Sequence, residues 1–440
     1  MDFYGKELFL SGKCAQEIYG EISQLPIIDY HCHLDERMIA RNAGFGDIGE
    51  LWLAGDHYKW RAMRLCGVPE YYITGNADFE EKFYKYAEIM PMLAGNPLYY
   101  WTHMELSQIF GIGKPLCADT AKEIYREANR VLADTNVLSL LKKFRVEYVA
   151  TTNDPMDDLK DHGKFGETLV APTFRPDKLL SLDRKYLKQL EEKAGIPIRS
   201  AKDLLRAAES RLVYFMLHGC KVADHGFEKF PSVYAEEAEA EHIFAKEEKT
   251  PLEREALFGY LLVQFMKMYA RHNILVQLHF AVTRNVNKKM YLSAGADSGF
   301  DVIGPAANTQ DLIAFFSYLA DEERPETVLY TLNDSNLPAL CCVTGAFRKV
   351  RMGAAWWFND TAEGIRRNLK TIAEYSALGN NFGMLTDSRS FASYVRFDFF
   401  RRILADYLGG LAEKGEYDLS AAKEIAKKIS YYNVKEVLAL

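Results

Sequence analysis

"PIIDYHCHLD", residues 26–35, places two histidines one residue apart directly behind an apolar run. If that run is a β-strand, alternate side chains share a side, so His31 and His33 project together while Cys32 points away. Such a pair suits one metal ion. An H-x-H pattern alone leaves ligation and a satisfied structural role equally open, and a third ligand would have to come from elsewhere in the chain.

Seven further runs rich in β-branched residues follow: "VEYVATTND" (146–154), "LVAPTFRP" (169–176), "CKVADHGFE" (220–228), "NILVQLHF" (273–280), "VLYTLN" (328–333), "RMGAAWWFND" (351–360) and "FGMLTDSRS" (382–390). With the opening run at 25–34 they make eight candidate strands. The segments between them read as amphipathic helices with recognisable ends. Thr250, Pro251 and Glu253 supply a cap, a first-turn proline and a capping box, and Ser200 with Asp203 repeats the logic. Gly195 and Pro197 close the preceding helix, whose Leu182, Tyr186, Leu187 and Leu190 fall on one face.

Strand and helix alternation is the mark of an α/β fold, either a closed parallel barrel or a doubly wound sheet. The count of eight, and polar residues gathered at the ends of the runs, favour a (β/α)8 TIM barrel. Those ends carry His31 and His33, Asp154, Arg175, Asp224 and His225, His279, Asn333, Trp356, Trp357 and Asn359, and Asp387 and Arg389. Barrel enzymes keep their chemistry at the carboxyl ends of the strands, although polar residues also end strands for no functional reason.

One connection is far too long for a crossover helix. Residues 36–143 read as a helical insertion between the first and second strands, packed over the barrel mouth, which divides the chain into 1–35, 36–143 and 144–440. The insertion contains "GDHYKWRAMR" (55–64), able to reach the site from above with His57, Tyr58 and Arg61.

Composition excludes several classes. The 440 residues are 48% apolar and 26% charged with a net charge of −7, which offers no electrostatic footprint for nucleic acid. No stretch is long and apolar enough to span a bilayer, and the N-terminus lacks the pattern of a signal peptide, so a cytoplasmic protein is expected. Seven cysteines without metal-knuckle spacing fit reduced thiols.

In a closed barrel the last strand lies beside the first, so Asp387 can face His31 and His33 and complete a site of two histidines and one carboxylate with open positions. His279 is a candidate fourth ligand or substrate contact, although a lone histidine at a strand end is more often structural. A second metal would want a lysine at the mouth of a middle strand and a histidine on the sixth. Lys221 starts its run instead, and "VLYTLN" has no histidine. Arg175, Arg389 and Arg61 are candidates to hold a small anion, since guanidinium forks grip carboxylates. Arg389 stands two residues beyond Asp387, on the same side if the segment is extended. Trp356 and Trp357 either pack the barrel or stack on a sugar face, and His57 and Tyr58 are candidate proton carriers.

At these residues the chain resembles the uronate isomerase (glucuronate isomerase) family of the amidohydrolase superfamily. The matching segments include "DYHCHLD", "LWLAGDHYKWRAMRLCGV", "GNPLYYWTHMEL", "PTFRPDK", "DHGFE", "QLHF" with "RNVNKKM", "DSGFDVIG", "WWFND" and "GMLTDSRSFASYVRFDFFRRIL". The resemblance implies a (β/α)8 barrel interconverting D-glucuronate with D-fructuronate and D-galacturonate with D-tagaturonate. It implies one divalent metal ion, zinc as first candidate, on His31, His33 and Asp387, with Asp387, Tyr58, Arg389 and His57 catalytic. Arg175, His279, Trp356, Trp357 and Arg61 are expected around the hexuronate, and a homo-oligomer is compatible with it. The chain departs from the family pattern at Asn153, where an acid is expected, at Ala354 and Ala355, and in the turn after His279. The competing classes are a mononuclear metal-dependent hydrolase and a catalytically silent sugar-acid binding protein.

Overall fold

The computed structural model describes residues 4, 5 and 7–440. In chain order the strands are β1 (Ile27–Asp29), β2 (Val146–Asn153), β3 (Gly163–Phe165), β4 (Thr168–Phe174), β5 (Val222–Gly226), β6 (Leu275–Phe280), β7 (Val282–Thr283), β8 (Val302–Ile303), β9 (Thr327–Thr331) and β10 (Val350–Met352). Seven of them run parallel in the order β1-β2-β4-β5-β6-β9-β10, with β3 folded back antiparallel on β4 and β7 paired to β8 as a separate hairpin. Helices alternate with the parallel strands in the (β/α)8 plan. β6, "LVQLHF", is buried at every position, as expected of a strand covered on both faces.

The eighth expected strand is not one. Residues 382–390 form no ladder, yet they lie against the end of β1. Asp387 N–H donates to the His31 carbonyl (3.1 Å), and His33 N–H donates to that of Ser388 (2.9 Å). The backbone explains the difference: Gly383 (φ 66°) and Asp387 (φ 44°) are left-handed, a conformation that cannot continue a pleat. The 351–360 run is also cut short. β10 ends at Met352, and a short helical turn over Trp357–Asn359 begins with Trp357 at φ 52°. The opening run also shortens, so that His31 and His33 stand just beyond regular β1.

Capping residues behave as their chemistry requires. Thr250 and Glu253 exchange bonds in a capping box, Ser200 accepts from Asp203 N–H, and Gly195 closes its helix at φ 67°. That helix starts at Arg184, so Leu182 falls outside it. Between β1 and β2 the chain runs through helices Glu36–Ala40, Ile48–Leu53, His57–Leu65, Phe79–Ile89, Pro97–Gln108, Ala118–Leu132 and Val137–Lys143. No helix among the described residues is long and apolar enough to cross a membrane.

Register sets what meets inside the barrel. Gly226 pairs with His279 and His279 with Tyr330, which brings the His279 and Tyr330 rings to 4.6 Å at 11°. The interior is a filled core in which Ile28, Tyr30, Tyr148, Val222, Leu275, Val328 and Tyr330 pack together. Gly353 belongs to this packing, because a Cβ there would lie 2.1 Å from the Tyr330 ring. Gly353→Ala should therefore destabilise the protein by about 1–3 kcal/mol, the usual effect of overpacking, as measured by denaturant unfolding.

The capping box carries a pH signature. The Lys246 ammonium, then the backbone and hydroxyl of Thr250, pull the Glu253 carboxyl from 4.5 down to about 2. A depressed carboxyl adds stability that is complete above the unfolded value near 4.5 and is lost as pH falls toward 2. Glu253→Gln should lower the unfolding temperature at pH 7, and the gap to the parent should narrow as thermal scans are repeated from pH 5 down to pH 3.

Candidate metal and sugar-acid site

A cavity of about 360 Å³ opens at the carboxyl ends of the strands, lined by His31, His33, His57, Thr152, Arg175, His279, Arg284, Asp297, Trp356, Trp357, Asp387 and Arg389. Its volume is in the range of small-molecule sites. At its floor the Nε2 atoms of His31 and His33 stand 3.2 and 3.1 Å from one oxygen, Oδ1 of Asp387. Donors at about 2.0–2.1 Å from a tetrahedral ion lie roughly 3.3 Å apart, so both histidine–carboxylate spacings suit a divalent metal, and all three donor atoms lie within 4.8 Å of one another. Cys32 points to the other side, where its thiol donates to the Ala150 carbonyl (3.3 Å).

The left-handed backbone at Asp387 aims the carboxylate. With one oxygen on the histidines, the other accepts the Trp356 indole N–H at 2.8 Å. Thr386 anchors the turn through its N–H (2.9 Å) and hydroxyl (2.6 Å) to the buried Asp29 carboxylate. Burial alone would raise the Asp387 carboxyl, but the His31 and His33 bonds outweigh it and hold the group well below the usual carboxylate range.

Asp224, on β5 and fully buried, organises the other wall. It accepts from His279 Nδ1 (2.7 Å) and pairs with Arg175 Nη1 (2.9 Å). These partners override the desolvation penalty and keep its carboxyl ionised. The bond fixes the tautomer of His279, leaving its Nε2 as a buried acceptor without a partner. His31, Asp224 and His279 form a second trio close enough to share an ion, although there the Asp224 carboxylate already carries the Arg175 charge.

The upper wall comes from two distant segments. Asp56 caps the helix His57–Leu65 by accepting from Tyr58 N–H (2.9 Å) and Lys59 N–H (3.2 Å), which places His57 and Tyr58 at its first turn. Arg389 Nη1 reaches His57 Nδ1 (3.3 Å) and Nη2 reaches Asp297 (2.8 Å), which lies between β7 and β8. Burial lowers the His57 imidazole and keeps it neutral, and it raises the Tyr58 phenol well above 10. Tyr58 stacks on His57 (4.8 Å, 28°), just behind the residues that line the cavity.

Arg61, expected at the substrate, is elsewhere. Its guanidinium covers the Phe358 ring at 4.7 Å and approaches the Asp301 carbonyl. Arg284 occupies the cavity wall instead, 5.7 Å from the Trp357 ring. Several polar strand ends also turn aside: Asp154 accepts from Tyr186 (2.7 Å), His225 bonds Tyr269 (2.9 Å), and Asn333 and Asn359 donate to backbone carbonyls. Asp224, Arg284 and Asp297 stand in segments that carry the family resemblance, and Thr152 in a strand run, but nothing in the sequence gives any of them a place in the site.

The family model described as glucuronate isomerase matches residues 1–438. The chain belongs to that family. It is 40% identical to a uronate isomerase of Caldanaerobacter subterraneus subsp. tengcongensis, with 100% of this chain and 99% of the relative covered. Identity to the Geobacillus thermodenitrificans uronate isomerase is also 40% over the same shares. Among solved structures, the uronate isomerase of Thermotoga maritima superposes with a TM-score of 0.96 at 33% identity, covering 100% of both chains. The glucuronate isomerase of Caulobacter crescentus gives 0.92 at 26% identity, covering 99% of this chain and 97% of that one. Membership in an isomerase family over the full length disfavours the hydrolase reading. Replacing His31 or His33 by alanine in this glucuronate isomerase family member should cut bound divalent metal from about one ion per chain to well below half, as read by elemental analysis of the dialysed protein.

Proposed function

We propose that the protein interconverts aldose and ketose hexuronates, D-glucuronate with D-fructuronate and D-galacturonate with D-tagaturonate, by proton transfer through a cis-enediol. The observation that carries this reading is the meeting, in one cavity, of the Asp387 carboxylate with the guanidinium groups of Arg389, Arg175 and Arg284. A sugar acid needs cations for its carboxylate, and an enediolate needs them for its developing charge.

A divalent ion, with zinc the first choice for two imidazoles and a carboxylate, would supply positive charge that orients the sugar acid and polarises its oxygens. His31, His33 and Asp387 Oδ1 would hold it. Oδ2, aimed by the Trp356 N–H, is the base that takes the C2 proton and returns it to C1 on the same face. Tyr58, kept protonated by its burial, carries a proton between O2 and O1, with the neutral His57 orienting it. Arg389 stabilises the enediolate oxygens, Arg175 and His279 hold the remaining oxygens, and Trp356 and Trp357 cover the sugar and exclude water.

General acid–base groups contribute about 10²–10⁴-fold. Asp387→Asn should lower kcat on both uronates by at least about 10²-fold in a coupled ketose assay, and near-normal turnover in that variant would remove Asp387 as the base. Run in deuterated water, the parent should place solvent deuterium at C1 of the ketose. Complete retention of the C2 hydrogen would indicate a hydride shift and sink the enediol.

A further inference from the structure

A second cavity, of about 320 Å³, lies at the opposite end of the barrel, among the loops that enter β1 and β2 and the first turns of the helix Val395–Glu413. Among the described residues four cationic side chains line it, Lys143, Arg145, Arg401 and Arg402, together with one carboxylate, that of Asp398. That carboxylate is spoken for: Oδ2 accepts from Arg402 Nε (3.0 Å) and Gln108 (2.7 Å), and Oδ1 accepts from the Tyr19 hydroxyl (2.6 Å). Among the described residues no carboxylate oxygen stands within 4.0 Å of Lys143, Arg145 or Arg401. In a chain of net charge −7, three such cations around one cavity go against the overall balance.

Arg401 is the strongest element. It is 3% exposed, and its terminal nitrogens donate to the carbonyls of Leu25 (2.8 Å) and Pro26 (2.8 Å), which fixes the guanidinium in place. Its Nε is buried without a partner. Burial pulls the Arg401 guanidinium down to about 10, against the opposing Asp398 carboxylate and with the like charge of Arg145 adding to it. Arg145 and Lys143 reach only backbone carbonyls, those of Ser23 (3.4 Å) and Ile109 (3.4 Å). A buried cation with no carboxylate in contact is costly, and a guanidinium beside two exposed cations has the charge that phosphate seeks.

We infer that this cavity binds a small oxyanion, inorganic phosphate or the phosphate of a phosphorylated metabolite, at a site separate from the hexuronate cavity. The carboxyl-end cavity of a barrel carries the chemistry, while its opposite face serves stability, so occupancy here adds a counter-ion to the loops before β1 and β2 without touching the reacting groups.

The test is isothermal titration of the metal-loaded protein with inorganic phosphate, at constant ionic strength in a chloride buffer and with saturating glucuronate present to block the arginines of the other cavity. Saturable binding of one phosphate per chain is expected, together with at least a tenfold loss of affinity in the Lys143→Gln/Arg145→Gln double variant, whose exposed positions spare the fold and whose uronate turnover should equal the parent's. A parallel titration with glucose 6-phosphate distinguishes free phosphate from a phosphorylated sugar by which binds more tightly. Absence of saturable uptake of either probe, displacement of phosphate by glucuronate, or undiminished affinity in the double variant would overturn the assignment.

Discussion

Two imidazoles converge on one oxygen of Asp387, and the left-handed backbone at that residue makes the convergence possible. In a regular eighth strand the carboxylate would alternate with its neighbours across the pleat. At φ 44° it turns back across the end of β1 instead. A non-glycine residue held there costs about 1–3 kcal/mol, least for Asp and Asn. The surroundings over-determine it, through Thr386 clamped to Asp29 and through the buried Arg396, whose Nη1 donates to the Thr386 carbonyl (3.0 Å). The same guanidinium lies 3.9 Å from the Trp101 ring and 5.1 Å from that of Tyr58. One buried cation thus ties the turn bearing Asp387 to the helices bearing Tyr58 and Trp101.

Most of the barrel was legible because its signals are local. Apolar runs of strand length, the Thr250–Glu253 box and Gly195 each state their structure within a few residues. The two misread strands share one feature. Asp387 and Trp357 adopt positive φ without being glycine, so nothing in "MLTDSRS" or "AAWWFND" announces that the chain leaves the extended region. Because of that turn Arg389 and Asp387, although two residues apart, are not alternate positions of one extended strand, and both reach the cavity by a different geometry. Asp224 takes its meaning from Arg175 and His279, which are 49 and 55 residues away by position, and pattern reading cannot supply such contacts. Arg61 and Arg284 look equivalent in sequence. Only the packing of the β7–β8 hairpin against the helix His57–Leu65 decides which guanidinium faces inward.

The electrostatics of the cavity follow one rule. Each arginine arrives with a carboxylate already in place: Arg175 with Asp224 and Asp177, Arg389 with Asp297, Arg284 with Asp301. These pairs keep the guanidinium groups oriented before an anion enters, so little side-chain entropy is left to lose on binding. An anionic ligand meets partly neutralised forks and must compete for them, which favours molecules offering several oxygens at once over simple monovalent anions.

The substitution of a turn for the eighth strand also bears on how the protein behaves in a crowd. A fully closed barrel has no sheet edge, whereas β10 has a ladder partner on one side only. An open row of backbone donors and acceptors is a template for strands of other molecules. Here the row is three residues long and is blocked by side chains: Asn381 donates to the Met352 carbonyl (2.9 Å), and Arg351 reaches across to the Asn380 carbonyl (3.3 Å) while pairing with Glu326. The seam that makes room for Asp387 is in this way sealed against edge-to-edge aggregation.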